Sequence, residues 1–185
     1  MQNKTQRLNR SQTGLLIVDI QERLLPAMFE KERVVSNSLR LAKGAAVLKV
    51  PVLVTEQYKK GLGATLPEIA AAVPGFAPVE KMAFSACGAE EIVKSLKANS
   101  ISDVILAGIE AHVCVSMTCL DLLNAGFRVF VVADAVSSRT PENMRIGLER
   151  MRDAGATVVS TEMVLFELLE RAGTEDFKQI LTLVK

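Results

Sequence analysis

The sequence is poor in the residue types that mark several common classes of protein. Among 185 residues there is one histidine, no tryptophan and one tyrosine, and the three cysteines include no Cys-x-x-Cys pair. The absence of this spacing excludes a thiolate zinc site. The odd number of cysteines leaves at least one thiol free, which suits a reducing compartment. Long apolar runs are also lacking, because charges interrupt every run before the roughly 18 residues that a membrane-spanning helix needs.

An excess of charge of one sign is absent too. The chain has 22 Lys and Arg residues against 21 Asp and Glu, a formal net charge of +1, and this balance indicates no surface for nucleic acid. Residues 1–7 are polar and contain no signal-peptide core. We therefore expect a cytoplasmic protein that binds neither nucleic acid nor a membrane, folded as one domain over residues 1–185.

What the sequence does contain is a regular alternation of apolar runs and helical spacing. Almost uniform hydrophobicity over four to six residues is typical of buried parallel strands, and the connecting segments have the periodicity of helices. The pattern predicts an α/β fold, a three-layer α/β/α Rossmann-like sandwich around a mainly parallel sheet of about six strands. The predicted strands are Gly14–Asp19, Val52–Thr55, Val104–Gly108 and Val129–Ala133, with weaker candidates at Val79–Phe84 and Thr157–Thr161.

Three polar residues follow apolar strands and are the strongest candidates for chemistry. Asp19 ends the first strand, Lys81 lies in the Val79–Phe84 segment, and Cys114 follows the strand that ends at Gly108. Because ligands of such sheets bind at the carboxyl ends of the strands, these side chains are expected to meet in one crevice.

Each of the three also has a plainer interpretation. Cys114 precedes a helix predicted over Val115–Ala125, where the helix dipole would favour a thiolate and amide groups could hold an oxyanion, but free cysteines are often simply buried. Asp19 must pair with a cation or have a raised pKa, unless it binds loop amides. Lys81 would neutralise Asp19 and stabilise the thiolate, unless it is a solvated lysine.

Other residues are expected around the pocket or in supporting roles. His112 is predicted to be pocket wall or surface rather than the base, and Asp134 and Arg139 are predicted to form a structural ion pair. Thr140 and Pro141 predict the cap and first residue of a helix. Apolar candidates such as Leu24, Phe29 and Met82 indicate a small, partly apolar substrate. The predicted pocket residues are Gln21, Leu25, Glu56, Gln57, Tyr58, Phe84 and His112.

Taken together, three spaced segments resemble the isochorismatase-like cysteine hydrolases, which include nicotinamidases and N-carbamoylsarcosine amidohydrolase. They are Leu16–Gln21, Glu80-Lys81 and Ala107–Val115, and Asp134–Arg139 also matches. The resemblance implies an Asp–Lys–Cys triad at Asp19, Lys81 and Cys114. It further implies a cis peptide bond between Ile109 and Glu110, so that the backbone of Ile109, Glu110 and Cys114 forms an oxyanion hole, and a homo-oligomer.

Departures from the better-known members of that family narrow the expected function. Nicotinamidases carry an Asp-x-His metal motif and a further histidine, which a chain with one histidine cannot supply, so we predict no metal and no cofactor. Isochorismatases do not depend on the cysteine, so Cys114 favours covalent chemistry on a carbonyl. We expect hydrolysis of a small amide or related C–N bond through a thioester. The segments Thr55–Tyr58 and Gly61–Gly63 most resemble the isochorismatase-domain proteins of undefined substrate. The alternatives are a non-catalytic scaffold or a thiol redox protein using Cys114.

Overall fold

A computed structural model describes residues 7–185 and contains one six-stranded sheet. All five neighbouring strand pairs are parallel, and the order across the sheet is β3-β2-β1-β4-β5-β6. The predicted α/β sandwich is therefore confirmed. The strands are β1 (Thr13–Val18), β2 (Val52–Gln57), β3 (Val79–Lys81), β4 (Asp103–Ile109), β5 (Arg128–Ser137) and β6 (Thr157–Val159).

Helices cover both faces of the sheet, which explains why the strands are apolar throughout rather than alternating. Every residue of β1 and β4 is buried. Among residues 7–185 no helix is both long enough and apolar enough to cross a membrane. The helices are α1 (Lys31–Leu48), α2 (Lys59–Leu62), α3 (Pro67–Ala72), α4 (Glu90–Ala98), α5 (Ser116–Asn124), α6 (Pro141–Asp153), α7 (Thr161–Leu169) and α8 (Glu175–Val184).

Two hydrophobic cores lie on opposite faces of the sheet. One joins Leu15 and Ile17 of β1 to Leu41 of α1 and Leu165 of α7. The other joins the alternate β1 residues, such as Leu16, to apolar side chains of α4, α5 and α6. Because successive strand residues point to opposite faces, a single apolar strand contributes to both cores.

The strand order reverses direction between β1 and β4, and this is where the crevice forms. The chain builds outward from β1 through β2 to β3, then returns to β4 on the other side of β1. In open parallel sheets the ends of the strands at such a switch point leave a space that connecting loops do not cross. The residues that follow β1 and β4 therefore line the same crevice.

Close contact between β1 and β4 depends on a glycine. A Cβ atom at Gly108 would lie 2.2 Å from the carbonyl oxygen of Val18. The φ of Gly108, +135°, is also unfavourable for residues other than glycine. This contact brings the segment after β4 against the end of β1. All six strands differ from their predicted bounds. The largest differences are in β3, which stops at Lys81 rather than Phe84, and in β5, which continues to Ser137 rather than ending at Ala133; the other four differ by one or two residues at an end.

Candidate functional site

Asp19 stands directly at the end of β1 and is fully buried. Its backbone is left-handed, with φ of 56°, which turns the chain out of the sheet. Thr55 of β2 donates a hydrogen bond from Oγ1 to Oδ1 of Asp19 at 2.7 Å, and the Asp19 amide donates to the Thr55 carbonyl at 3.2 Å. The neighbouring strand thus fixes the orientation of the carboxylate and satisfies one of its oxygens.

Lys81 ends β3 and points its ammonium group at the other oxygen of Asp19. Nζ lies 2.7 Å from Asp19 Oδ2 and 2.7 Å from Gln57 Oε1, and it donates to the carbonyls of Phe84 at 2.9 Å and Ala83 at 3.3 Å. The side chains of this ion pair are 1% and 0% exposed. These four acceptors are enough for the three donors of the buried ammonium group, each of which would carry a desolvation penalty if it were unused.

Two glutamines hold the surroundings of Lys81 in place. Gln57 donates from Nε2 to the backbone carbonyl of Met82 at 3.0 Å, and its backbone N–H donates to Gln21 Oε1 at 2.8 Å. Gln21 in turn donates from Nε2 to the Gln57 and Gly63 carbonyls. These two predicted pocket residues therefore form the support beneath the ion pair.

Cys114 lies in a π turn, Ala111–Val115, that precedes α5. The expected first α-helical turn is thus wound more widely, a feature often found at functional sites. Thr118 donates from Oγ1 to the Cys114 carbonyl at 2.7 Å. The predicted cis bond before Glu110 is wrong, because residues 7–185 contain no cis peptide bond; Glu110 instead bends the chain through a left-handed conformation, φ 60° and ψ 55°.

The electrostatic setting of Cys114 also differs from expectation. The pKa of its thiol is raised to about 12, mainly by burial and also by the negative charge of Asp19, with Lys81 partly opposing both. Asp19 and Lys81 are both near enough for their charges to act on the thiol. The predicted stabilisation of a thiolate by the helix end is therefore outweighed by burial. With a pKa this high, Cys114 is a thiol rather than a thiolate near neutral pH.

The structure separates the remaining predicted pocket residues into different environments. Glu56 faces away from the ion pair, accepting from the amide and hydroxyl of Thr65 and pairing with Lys59 at 2.9 Å. Tyr58 and Phe84 have exposed side chains at the ends of β2 and β3. Leu25 lines an open groove.

His112 and Arg139 have partners that the sequence did not predict. His112 Nδ1 lies 3.0 Å from Ser138 Oγ. The predicted Asp134–Arg139 ion pair is wrong, because Arg139 pairs with Glu110 at 2.8 Å whereas Asp134 accepts from the amide and hydroxyl of Thr161. The predicted cap is confirmed, since Thr140 Oγ1 accepts from the third residue of α6 and Pro141 begins that helix.

Comparison with known proteins agrees with this geometry. Residues 13–163 match the Isochorismatase domain. The chain is 42% identical over 175 residues to isochorismatase domain-containing protein 2 of Danio rerio, covering 94% of this chain and 87% of that protein. It is 39% identical to the secreted isochorismatase effector Isc1 of Phytophthora sojae, covering 100% and 91%.

Solved structures show the same fold at high similarity. A protein described as MAR1 ribonuclease from Caenorhabditis elegans superposes with a TM-score of 0.89 at 35% identity, covering 97% of this chain and 92% of that one. YcaC from Pseudomonas aeruginosa, solved with covalent acrylamide, gives 0.91 at 30% identity over 98% and 93%. YcaC from Escherichia coli, an octameric hydrolase of unknown specificity, gives 0.89 at 27% identity over 96% and 90%. The chain belongs to the isochorismatase family, whose fold supports a hydrolase.

Proposed function

We propose that this protein hydrolyses a small amide or related C–N bond through a thioester on Cys114. The observation that supports this most strongly is the ion pair of Lys81 with Asp19, a fully buried carboxylate whose charge acts on the Cys114 thiol and raises its pKa. A thiol of raised pKa is a poor nucleophile unless a base removes its proton during attack. Asp19 is that base in this proposal.

Acylation begins when Asp19 accepts the thiol proton as the sulfur attacks the carbonyl carbon. Amide groups of the Glu110–Cys114 turn hold the oxyanion. The C–N bond then breaks as Asp19 transfers its proton to the departing nitrogen, leaving an S-acyl group on Cys114. The buried site favours this concerted transfer over a free thiolate, because burial disfavours every charged form.

Deacylation reuses the same residues with water as the nucleophile. Asp19 takes a proton from water, oxygen attacks the acyl carbon, the S–C bond breaks, and the proton returns to the sulfur of Cys114. Lys81 keeps the carboxylate oriented throughout, since its other donors are fixed on neighbouring acceptors. No metal or cofactor takes part in the proposed mechanism.

Two relatives support a small amide-like substrate and an assembled protein. The YcaC structure from P. aeruginosa contains covalent acrylamide, a small amide that nucleophiles attack at its alkene carbon, so this relative holds a small molecule that carries an amide group. The E. coli YcaC is octameric, and three large apolar side chains beside the site, Tyr58, Met82 and Phe84, are 45%, 69% and 55% exposed. We propose a homo-oligomer that covers them, and a cytoplasmic location that keeps the thiols reduced.

A panel of small amides assayed for release of ammonia or amine tests this function. Wild type should turn over at least one member, and Cys114→Ala should lose that activity while keeping the fold. Cys87→Ala is the matched control, because this half-buried thiol lies outside the site. Full activity in Cys114→Ala would refute the proposal and favour the scaffold alternative, and sulfenic acid formation by peroxide without amide turnover would favour the redox alternative.

A further inference from the structure

A buried carboxylate stands at the start of the turn that carries Cys114. Glu110 is 3% exposed, and its Oε1 accepts from Arg139 Nε at 2.8 Å. Its Oε2 has no hydrogen-bond partner within residues 7–185 and lies 3.7 Å from His112 Nε2. Burying a carboxylate with unused acceptor capacity is unfavourable, so folding alone gives no reason for this residue type here.

The backbone of Glu110 controls the geometry of the turn. Its left-handed conformation is disfavoured for a residue with a Cβ atom. Contacts with the surrounding segments must therefore stabilise this conformation. Its carbonyl accepts from the amide of Val113 at 2.9 Å and of Val115 at 3.3 Å, one on each side of Cys114. A rotation of Glu110 would therefore turn the amide groups that flank the nucleophile.

The segment after β5 holds this turn from outside the crevice. Arg139 forms an ion pair with the Glu110 carboxylate, and Ser138 contacts His112 within the turn. Helix α6 lies directly against it, since a Cβ atom at Gly147 would be 2.9 Å from the Ala111 carbonyl oxygen. The Arg139 side chain is 63% exposed, so it can be changed without opening the core.

We propose that Glu110 is a positioning residue for the nucleophile. Its ion pair with Arg139 fixes the turn whose backbone amide groups hold the oxyanion. This inference rests on the proposed function of Cys114. Glu110 itself does not touch the reacting atoms. Because the pair sets the orientation of these amide groups, its loss should slow reactions that pass through an oxyanion and should not slow those that do not.

Two reagents separate these effects. p-Nitrophenyl acetate acetylates a thiol through a tetrahedral oxyanion, forming an S–C bond and releasing p-nitrophenol. Iodoacetamide alkylates the same sulfur by displacing iodide, with no oxyanion. The ratio of the two rate constants at Cys114, located by peptide mass spectrometry, reports oxyanion positioning independently of how much thiolate is present.

Glu110→Gln should lower the acetylation rate constant roughly 10- to 100-fold, as expected for misplaced groups in an active site, while alkylation stays level or rises. Loss of the Glu110 charge cannot slow alkylation, because that charge is one of the causes that raise the Cys114 pKa. Arg139→Gln should lower acetylation in the same direction, and the double variant should add little more. Arg145→Gln, which breaks an exposed pair with Glu149 on α6, is the control and should match wild type.

The outcomes are distinguishable from failure to fold and from failure of the proposed function. If Glu110→Gln does not fold, Glu110→Asn and Arg139→Gln replace it, since asparagine tolerates the left-handed backbone. An unchanged ratio in the folded variants, or equal falls in both rate constants, would overturn the positioning role. Absence of acetylation at Cys114 in wild type would instead overturn the proposed function.

Discussion

Replacing Lys81 by methionine isolates the contribution of the buried ammonium group. The change keeps an unbranched apolar chain but removes every donor from Asp19 Oδ2, Gln57 Oε1 and the Phe84 carbonyl. Asp19 would then be a buried carboxylate without its cation. Breaking one partner of such a pair costs about 3–5 kcal/mol, so the free energy of unfolding should fall by about that amount.

The double variant Asp19→Asn/Lys81→Met tests the physical reason for this loss. Once the carboxylate is neutral, no uncompensated charge remains, so the double variant should be more stable than Lys81→Met alone. The coupling energy in the double-mutant cycle should be about 2–3 kcal/mol, at the upper end for residues in contact.

Urea unfolding followed by circular dichroism measures these differences, since the chain has no tryptophan for fluorescence. Protein concentration is held fixed, because assembly would shift the apparent stability. Lys94→Met is the control: its pair with Glu90 is 73% and 81% exposed, so the loss should be within about 0.5 kcal/mol. A loss below about 1 kcal/mol in Lys81→Met, or additive effects in the cycle, would refute the reasoning.

Three further predictions follow from other parts of the molecule. Gly108→Ala should destabilise the fold by about 3 kcal/mol or more. Gly126→Ala, also at positive φ but with no atom within 4 Å of an added Cβ, should cost only about 1–2 kcal/mol. Similar losses for the two variants in thermal or urea unfolding would disprove the close contact at Gly108. Burial raises the pKa of Glu56, but its bonds to Thr65 and its pairing with Lys59 outweigh this, so the pKa lies below the ordinary 4.5. The stability that the Glu56 carboxylate contributes is present above pH 4.5 and is lost as the pH falls through its lower pKa in the folded state. Glu56→Gln should therefore flatten the acid side of the plot of unfolding free energy against pH, and an unaltered plot would contradict this prediction. The pKa of Cys114, about 12, predicts that its alkylation rate rises about tenfold per pH unit from pH 7 to 10; a plateau near neutral pH would show a stabilised thiolate instead.

Much of the site could be predicted because it depends on rules that local sequence obeys. A polar residue after a buried parallel strand must lie at the carboxyl edge of the sheet, and this rule located Asp19 at the end of β1. Lys81 and Cys114 follow from the same rule together with the family resemblance. The parallel order of the sheet followed from strands that are apolar on both faces.

Other features depend on contacts between distant segments and leave little trace in the sequence. Arg139 could pair equally well with Asp134 nearby or with Glu110 29 residues away, and only the packing of α6 against the turn decides between them. Strand β3 ends early because the Ala83 and Phe84 carbonyls turn inward to accept from Lys81.

Thr55 was missed as a site residue, although a hydroxyl at the end of the apolar run Val52–Thr55 was a usable signal. The thiol pKa could not be predicted, because it is set by burial and by the balance of Asp19 against Lys81.

The most direct test of the central claim is to follow acetylation of Cys114 by p-nitrophenyl acetate in wild type and Asp19→Asn, using intact mass and peptide mapping. This activated ester needs no acid to release its leaving group, but Asp19 is still needed to remove the thiol proton and later to activate water. The account predicts a transient acetyl group on Cys114 in wild type, and in Asp19→Asn an acetyl group that forms more slowly and, once formed, lasts longer. Loss of the acetyl group at the same rate in both proteins, or its attachment to Cys87 instead, would contradict the account.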